Sequence, residues 1–87
     1  MTLHELITRV KANQIDGDTA IDVIRDLRTG SLPQRARFRL ISALSIARIY
    51  FSPLGAVKFG GQAKVKQMLL EDLTMAQEAI DSSTSTE

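Results

Sequence analysis

The sequence predicts an all-α fold, a compact bundle of four helices over about residues 2–13, 18–29, 33–51 and 62–80. Three observations carry that expectation. Apolar residues recur at the i, i+3, i+4, i+7 spacing of a helical face in each of these segments. Residues that start and stop helices punctuate them. No alternating apolar–polar run reaches the length of a convincing strand.

The first helix should begin at once, because Thr2 and Glu5 form a Thr-x-x-Glu capping box ahead of Leu3, Leu6, Ile7 and Val10. Asn13, a residue that tolerates the left-handed conformation, should end it, and Asp16-Gly17 is a turn signal. Asp18 is placed to cap a second helix whose apolar side is Ala20, Ile21, Val23, Ile24 and Leu27, with Gly30 at its end. Ser31-Leu32-Pro33 opens the third helix, with proline tolerated in the first turn, and Ser52-Pro53 stops it. In the last helix Val65, Met68, Leu69, Leu73, Ala76 and Ile80 share one face. Asp72 falls inside that stripe, where a carboxylate needs a partner. An arginine of the third helix is the expected one, Arg39 or Arg48.

The third helix is apolar on two sides. At about 100° per residue, Ala36, Leu40, Ala43, Leu44, Ala47, Tyr50 and Phe51 gather on one face. Phe38, Ile41, Ser42, Ser45 and Ile49 gather on the opposite one. A single small domain has too few other helices to cover both, so this second face is the candidate interface with another protein or a second copy. The loop 53–61 is the only substantial one, and Val57 and Phe59 are expected to tuck into the core. Residues 1–80 thus read as one helical domain, and 81–87, Asp-Ser-Ser-Thr-Ser-Thr-Glu, as a flexible polar tail with nothing to bury.

Charge is strongly segregated although the net formal charge is only +1. From Leu27 to Leu70 the only charged residues are the basic Arg28, Arg35, Arg37, Arg39, Arg48, Lys58, Lys64 and Lys66. All ten acidic residues lie on either side of that block. Such polarity bears on partners and assembly rather than on fold. The block meets either an anionic partner or the chain's own acidic ends. Its anion- or partner-binding candidates are Arg35, Arg37, Arg39, Arg48, Lys58, Gly60, Gly61, Lys64 and Lys66. Gly60-Gly61 leads into a helix start with free N–H groups beside these lysines. Gly55 to Gln62 lacks the Lys-Ser/Thr pair of a nucleotide-hydrolysing loop. Gln34 and Arg35 would open the recognition helix of a helix-turn-helix, but the preceding turn, Thr29–Leu32, lacks the expected glycine-then-apolar arrangement and the following turns are largely apolar.

Enzymatic machinery is thin. Cysteine is absent, His4 is the one histidine and belongs at the surface, and no nucleophile elbow occurs. Asp16-Gly17-Asp18 lacks the remaining oxygen ligands of a calcium loop. No catalytic residue, metal site or cofactor is expected. Without a basic leader or a long apolar run the chain reads as a soluble cytoplasmic protein, with no membrane partner. The expected role is that of a small non-enzymatic interaction protein, an adaptor or inhibitor in type, acting through protein–protein contacts and self-associating as a dimer. The alternative is a small regulator that binds nucleic acid or a nucleotide-like anion through the basic block 28–66.

Overall fold

The computed structural model describes residues 1–30, 32–52 and 54–85, with the side chains of Ala56, Ser83, Thr84 and Ser85 left aside. Four α-helices are present: α1 (Leu3–Lys11), α2 (Gly17–Arg28), α3 (Gln34–Tyr50) and α4 (Gln62–Ser85), with a 3-10 turn at Ala56–Phe59 before the last. Among the described residues there is no strand. The all-α bundle expected from the sequence is the fold.

Each helix end follows from local chemistry. The Thr2 hydroxyl oxygen accepts the Glu5 N–H at 3.1 Å and donates to the Glu5 carboxylate at 3.2 Å. At the other end of α1, Asn13 takes φ 56°, and the Gln14 N–H reaches back to the Arg9 carbonyl at 2.9 Å. That left-handed turn closes the open carbonyls of the helix. The start of α2 differs from the expectation. Asp16 occupies the N-cap in extended conformation, and its carbonyl accepts the Ala20 N–H at 3.0 Å. Asp18 lies within the first turn instead, where its charge complements the helix dipole. Gly17 can open the helix because it lies against the Phe51 ring, where a β-carbon would stand 2.8 Å from Phe51 Cβ. Thr29 is the C-cap of α2, its hydroxyl donating to the Asp26 carbonyl at 3.0 Å, and Gly30 follows it at the end of the helix as expected. Pro33 takes the N-cap of α3 and Phe51 the C-cap; Ser31 and Pro53 lie outside the described residues.

Helix α3 is the central strut, packed on α2 and on α4, while α1 closes the other side against α4 and α2. Its inward face is Ala36, Leu40, Ala43, Leu44 and Ala47, in which the three alanines let the neighbouring helices come close. The core is completed by Leu3, Leu6, Ile7 and Val10 of α1, Ala20 and Ile24 of α2, and Val65, Leu69, Leu73 and Ala76 of α4. Each fully buried leucine here, such as Leu40 or Leu69, contributes about 1.5–3 kcal/mol by leaving water.

Three further expectations are corrected. Val57 and Phe59 do not enter the core; they are 72% and 49% exposed, because the 3-10 turn carries their side chains outward. Met68 stays partly exposed at the edge of the α4 stripe rather than within it. Helix α4 does not stop at Ile80 but runs to Ser85, through most of the segment expected to be a polar tail. The Gln77 amide donates to Asp81 at 3.0 Å, one turn ahead, across the predicted boundary. The long last helix helps to give the molecule extents of 44 × 21 × 21 Å.

Candidate functional site

The outward face of α3 carries Phe38, Ile41, Ser42, Ser45 and Ile49 in a stripe that the rest of the chain leaves open. Phe38 is 64% and Ile41 46% exposed, Ser42 and Ser45 are exposed, and Ile49 is half-buried. At about 100° per residue, Arg35 and Arg39 fall along one edge of this stripe and Arg37 and Arg48 along the other. The stripe therefore lies between arginines on both sides.

On the α4 side the edge is built on a carboxylate. Asp72 is buried among apolar side chains of the α3–α4 contact, and two groups of α3 satisfy it. The Ser42 hydroxyl donates to Oδ2 at 2.6 Å, and Arg39 donates through one guanidinium nitrogen to Oδ1 at 3.4 Å. The partner expected from the sequence was an arginine of the third helix, and Arg39 fills that role. Arg39 remains half-exposed, so its other N–H groups face outward. They open on a groove of 530 Å³ lined by Arg35, Phe38, Ser42, Met75 and Glu78. On the α2 side a second groove, of 390 Å³, is lined by Arg28, Gln34, Arg37, Phe38 and Ile41. Phe38 forms the ridge between the two.

At the opposite end of α3, Arg48 shares a shallow hollow with Asp16, Asp18, Ile21 and Phe51. The α2–α3 side of the molecule thus has a basic end at Arg28 and Arg37 and a mixed, partly acidic end at Asp16 and Asp18. This polarity exists because α2 and α3 run antiparallel across a tight connection.

The remaining candidates do not join the arginines of α3. Lys58 stands on the 3-10 turn, and Gly60 and Gly61 follow with φ of 96° and 99°, values that an L side chain rarely adopts. The Lys64 stem folds over Gly60, where a β-carbon would meet its Cδ at 2.8 Å. Antiparallel packing of α3 and α4 leaves Lys64 about 18 Å from Arg35 along the helix axes, at about 1.5 Å of rise per residue. The basic block is two groups, one at each end of the bundle. Lys66 belongs to neither, since its ammonium donates to the Lys11 carbonyl at 3.0 Å and to Asn13 Oδ1 at 3.1 Å. Tyr50 donates to the same Asn13 oxygen at 3.1 Å, so α1, α3 and α4 meet there.

Arg28 and Met75 enter the site without any signal in the spacing of their own helices. Arg28 arrives through the α2–α3 turn and Met75 through the register of α4 on α3.

Among the described residues, the one ion pair that joins the basic block to an acidic end is Arg39–Asp72, since Arg25–Asp22 lies within α2. No group of three His, Cys, Asp or Glu side chains is close enough to hold a metal ion, again among the described residues. No helix there is long and apolar enough to cross a membrane. Comparison with protein-family models, with curated proteins and with solved structures found no match.

Proposed function

We propose that this chain is a small non-enzymatic interaction protein, adaptor or inhibitor in type, which acts through protein contacts and self-associates through the outward face of α3. The observation that carries this reading is the exposure of Phe38 and Ile41 on the central helix of the bundle. An aromatic ring and a branched aliphatic chain side by side in water are costly to a monomer, and contiguous apolar patches rimmed by polar residues mark association surfaces. Small serines at the middle of the stripe leave room for another helix. Closed two-fold symmetry is the commonest outcome for a self-complementary patch. Sedimentation of the wild-type chain at tens of micromolar tests the reading: a dimer supports it, and a monomer removes self-association from it.

A second reading rests on a different observation. Arg35, Arg37 and Arg39 are all exposed within two turns of α3, and Arg28 lies beside Arg37. Such a cluster suits phosphate oxygens of a nucleic acid or a nucleotide-like anion. Phosphate binding weakens steeply with salt. Submicromolar, salt-sensitive binding of duplex DNA, RNA or a nucleotide at physiological ionic strength would promote this reading over the first.

A further inference from the structure

We infer that two copies of this chain pack α3 against α3 in antiparallel fashion, centred between Ser42 and Ser45, with Arg28 and Arg37 of one copy facing Asp16 and Asp18 of the other. The inference rests on the self-association proposed above and adds its geometry and its electrostatic key.

The centre is set by size and by hydrogen bonding. Ser42 and Ser45 are the small residues of the stripe, flanked by Phe38 and Ile41 on one side and Ile49 on the other. Two such helices approach most closely at the serines, with the large side chains interlocking to either side. The Ser42 hydroxyl already donates to Asp72, so covering it costs no unmade donor bond. A helical serine such as Ser45 can turn its hydroxyl onto the carbonyl four residues back. Around that centre an antiparallel arrangement brings Phe38 of one copy opposite Ile49 of the other.

Charge selects this arrangement over the parallel one. A two-fold axis parallel to α3 would bring together the ends bearing Arg28, Arg35, Arg37 and Arg39 from both copies, and among the described residues only Arg39 of these has an ion-pair partner in its own chain. Like charges so placed oppose association. An axis in the interface plane but perpendicular to α3 reverses the helix direction and keeps α2 on the same side in both copies. The basic end at Arg28 and Arg37 then lies over the far end of the second copy's α2–α3 groove, where two carboxylates, Asp16 and Asp18, stand with the single arginine Arg48. Arg37 and Asp18 are both exposed and lie at opposite ends of the α2–α3 pair within one chain. They can meet only between copies.

Site-specific cross-linking reads the direction, and the chain has no cysteine to interfere. Phe38→Cys and Ile49→Cys variants are mixed and treated with a short bismaleimide. The expected result is a mixed 38–49 conjugate, with little 38–38 conjugate because those positions lie about 16 Å apart in the antiparallel pair, at about 1.5 Å per residue. Charge reversal supplies the second readout. R37E should weaken self-association by about tenfold or more, and D18R/R37E should restore it to within about threefold of wild type. Circular dichroism of each variant separates lost association from lost folding. Predominant 38–38 conjugate would mean a parallel pair and overturn the inference while leaving self-association intact. A dimer that yields neither conjugate, or no rescue in the double reversal of a folded protein, would also overturn it. A monomeric wild type would instead remove the proposed self-association itself.

Discussion

The Ser42 hydroxyl donates to Asp72 at 2.6 Å, joining α3 to α4 across 30 residues of sequence. This bond and the longer one from Arg39 account for a carboxylate inside the α3–α4 contact. They also hold the Arg39 guanidinium at the mouth of the groove beside Phe38. Asp72→Ala should destabilise the fold by about 1–3 kcal/mol, since it strands Ser42 and Arg39. Asp72→Asn, which keeps an oxygen acceptor for Ser42, should cost less. Denaturant unfolding of the two variants checks this; equal and negligible losses would mean that the carboxylate is not a structural member.

If the outward face of α3 forms the contact proposed above, Ile41→Glu should release monomers. The carboxylate would be covered in the middle of an apolar contact without a partner, which is far more costly than its exposure on a free surface. Sedimentation at several concentrations should show the mass of one chain, while helix content stays at the wild-type level because Ile41 is 46% exposed and not a member of the buried core. An unchanged oligomer would place the contact elsewhere.

Gly17→Ala should lower stability although alanine is the better helix former by about 1 kcal/mol. The added β-carbon would lie 2.8 Å from Phe51 Cβ and 2.9 Å from its ring. Phe51 must shift, and overpacking of this kind costs about 1–3 kcal/mol. Gly61→Ala should also destabilise, for an unrelated reason. Nothing stands within 4 Å of its would-be β-carbon, but φ is 99°. The strain is in the backbone, of order 1–3 kcal/mol. A rise in melting temperature for either variant would contradict these accounts.

Lys66→Met should destabilise by about 1–2 kcal/mol while Lys64→Met should be nearly neutral. The two lysines stand in the same first turns of α4, but among the described residues only the Lys66 ammonium is tied into the fold, by hydrogen bonds to the Lys11 carbonyl and Asn13 Oδ1. Thermal melts of the pair test the distinction; equal effects would reduce Lys66 to an ordinary surface charge.

Much of this architecture was legible in the residues. The capping box at Thr2 and Glu5, the left-handed Asn13 and the two-sided α3 are local patterns, and local patterns survive folding intact. Asp72 was legible because a carboxylate inside an apolar stripe demands a donor, and the arginine-rich third helix was the obvious source. Other features depend on distances that no local window contains. Val57 and Phe59 are apolar, yet the direction of a short 3-10 turn decides whether they face the core or water. The Ser-Thr run after Ile80 has weak helix propensity, and its helix is continued from the preceding turns. The division of the basic block into two ends, and the diversion of Lys66 to α1, follow from the antiparallel register of α3 and α4. Among the interface candidates, Phe38 and Ile41 were visible as surplus, and so were the arginines of α3 to either side; that Met75 and Arg28 line the adjoining grooves was not.

The tie from Lys66 to Lys11 and Asn13 spans more than 50 residues, and this imposes an order on synthesis. Helix α1 is made early, but it packs mainly on α4, which is made last. Until residue 66 has left the ribosome, Leu3, Leu6, Ile7 and Val10 have no α4 surface to cover them. The nascent chain must carry that apolar face unprotected, in the condition that draws chaperones and invites aggregation. Ribosome-bound chains stalled before α4 should therefore leave α1 open to protease, and chains stalled after the whole of α4 has emerged should protect it.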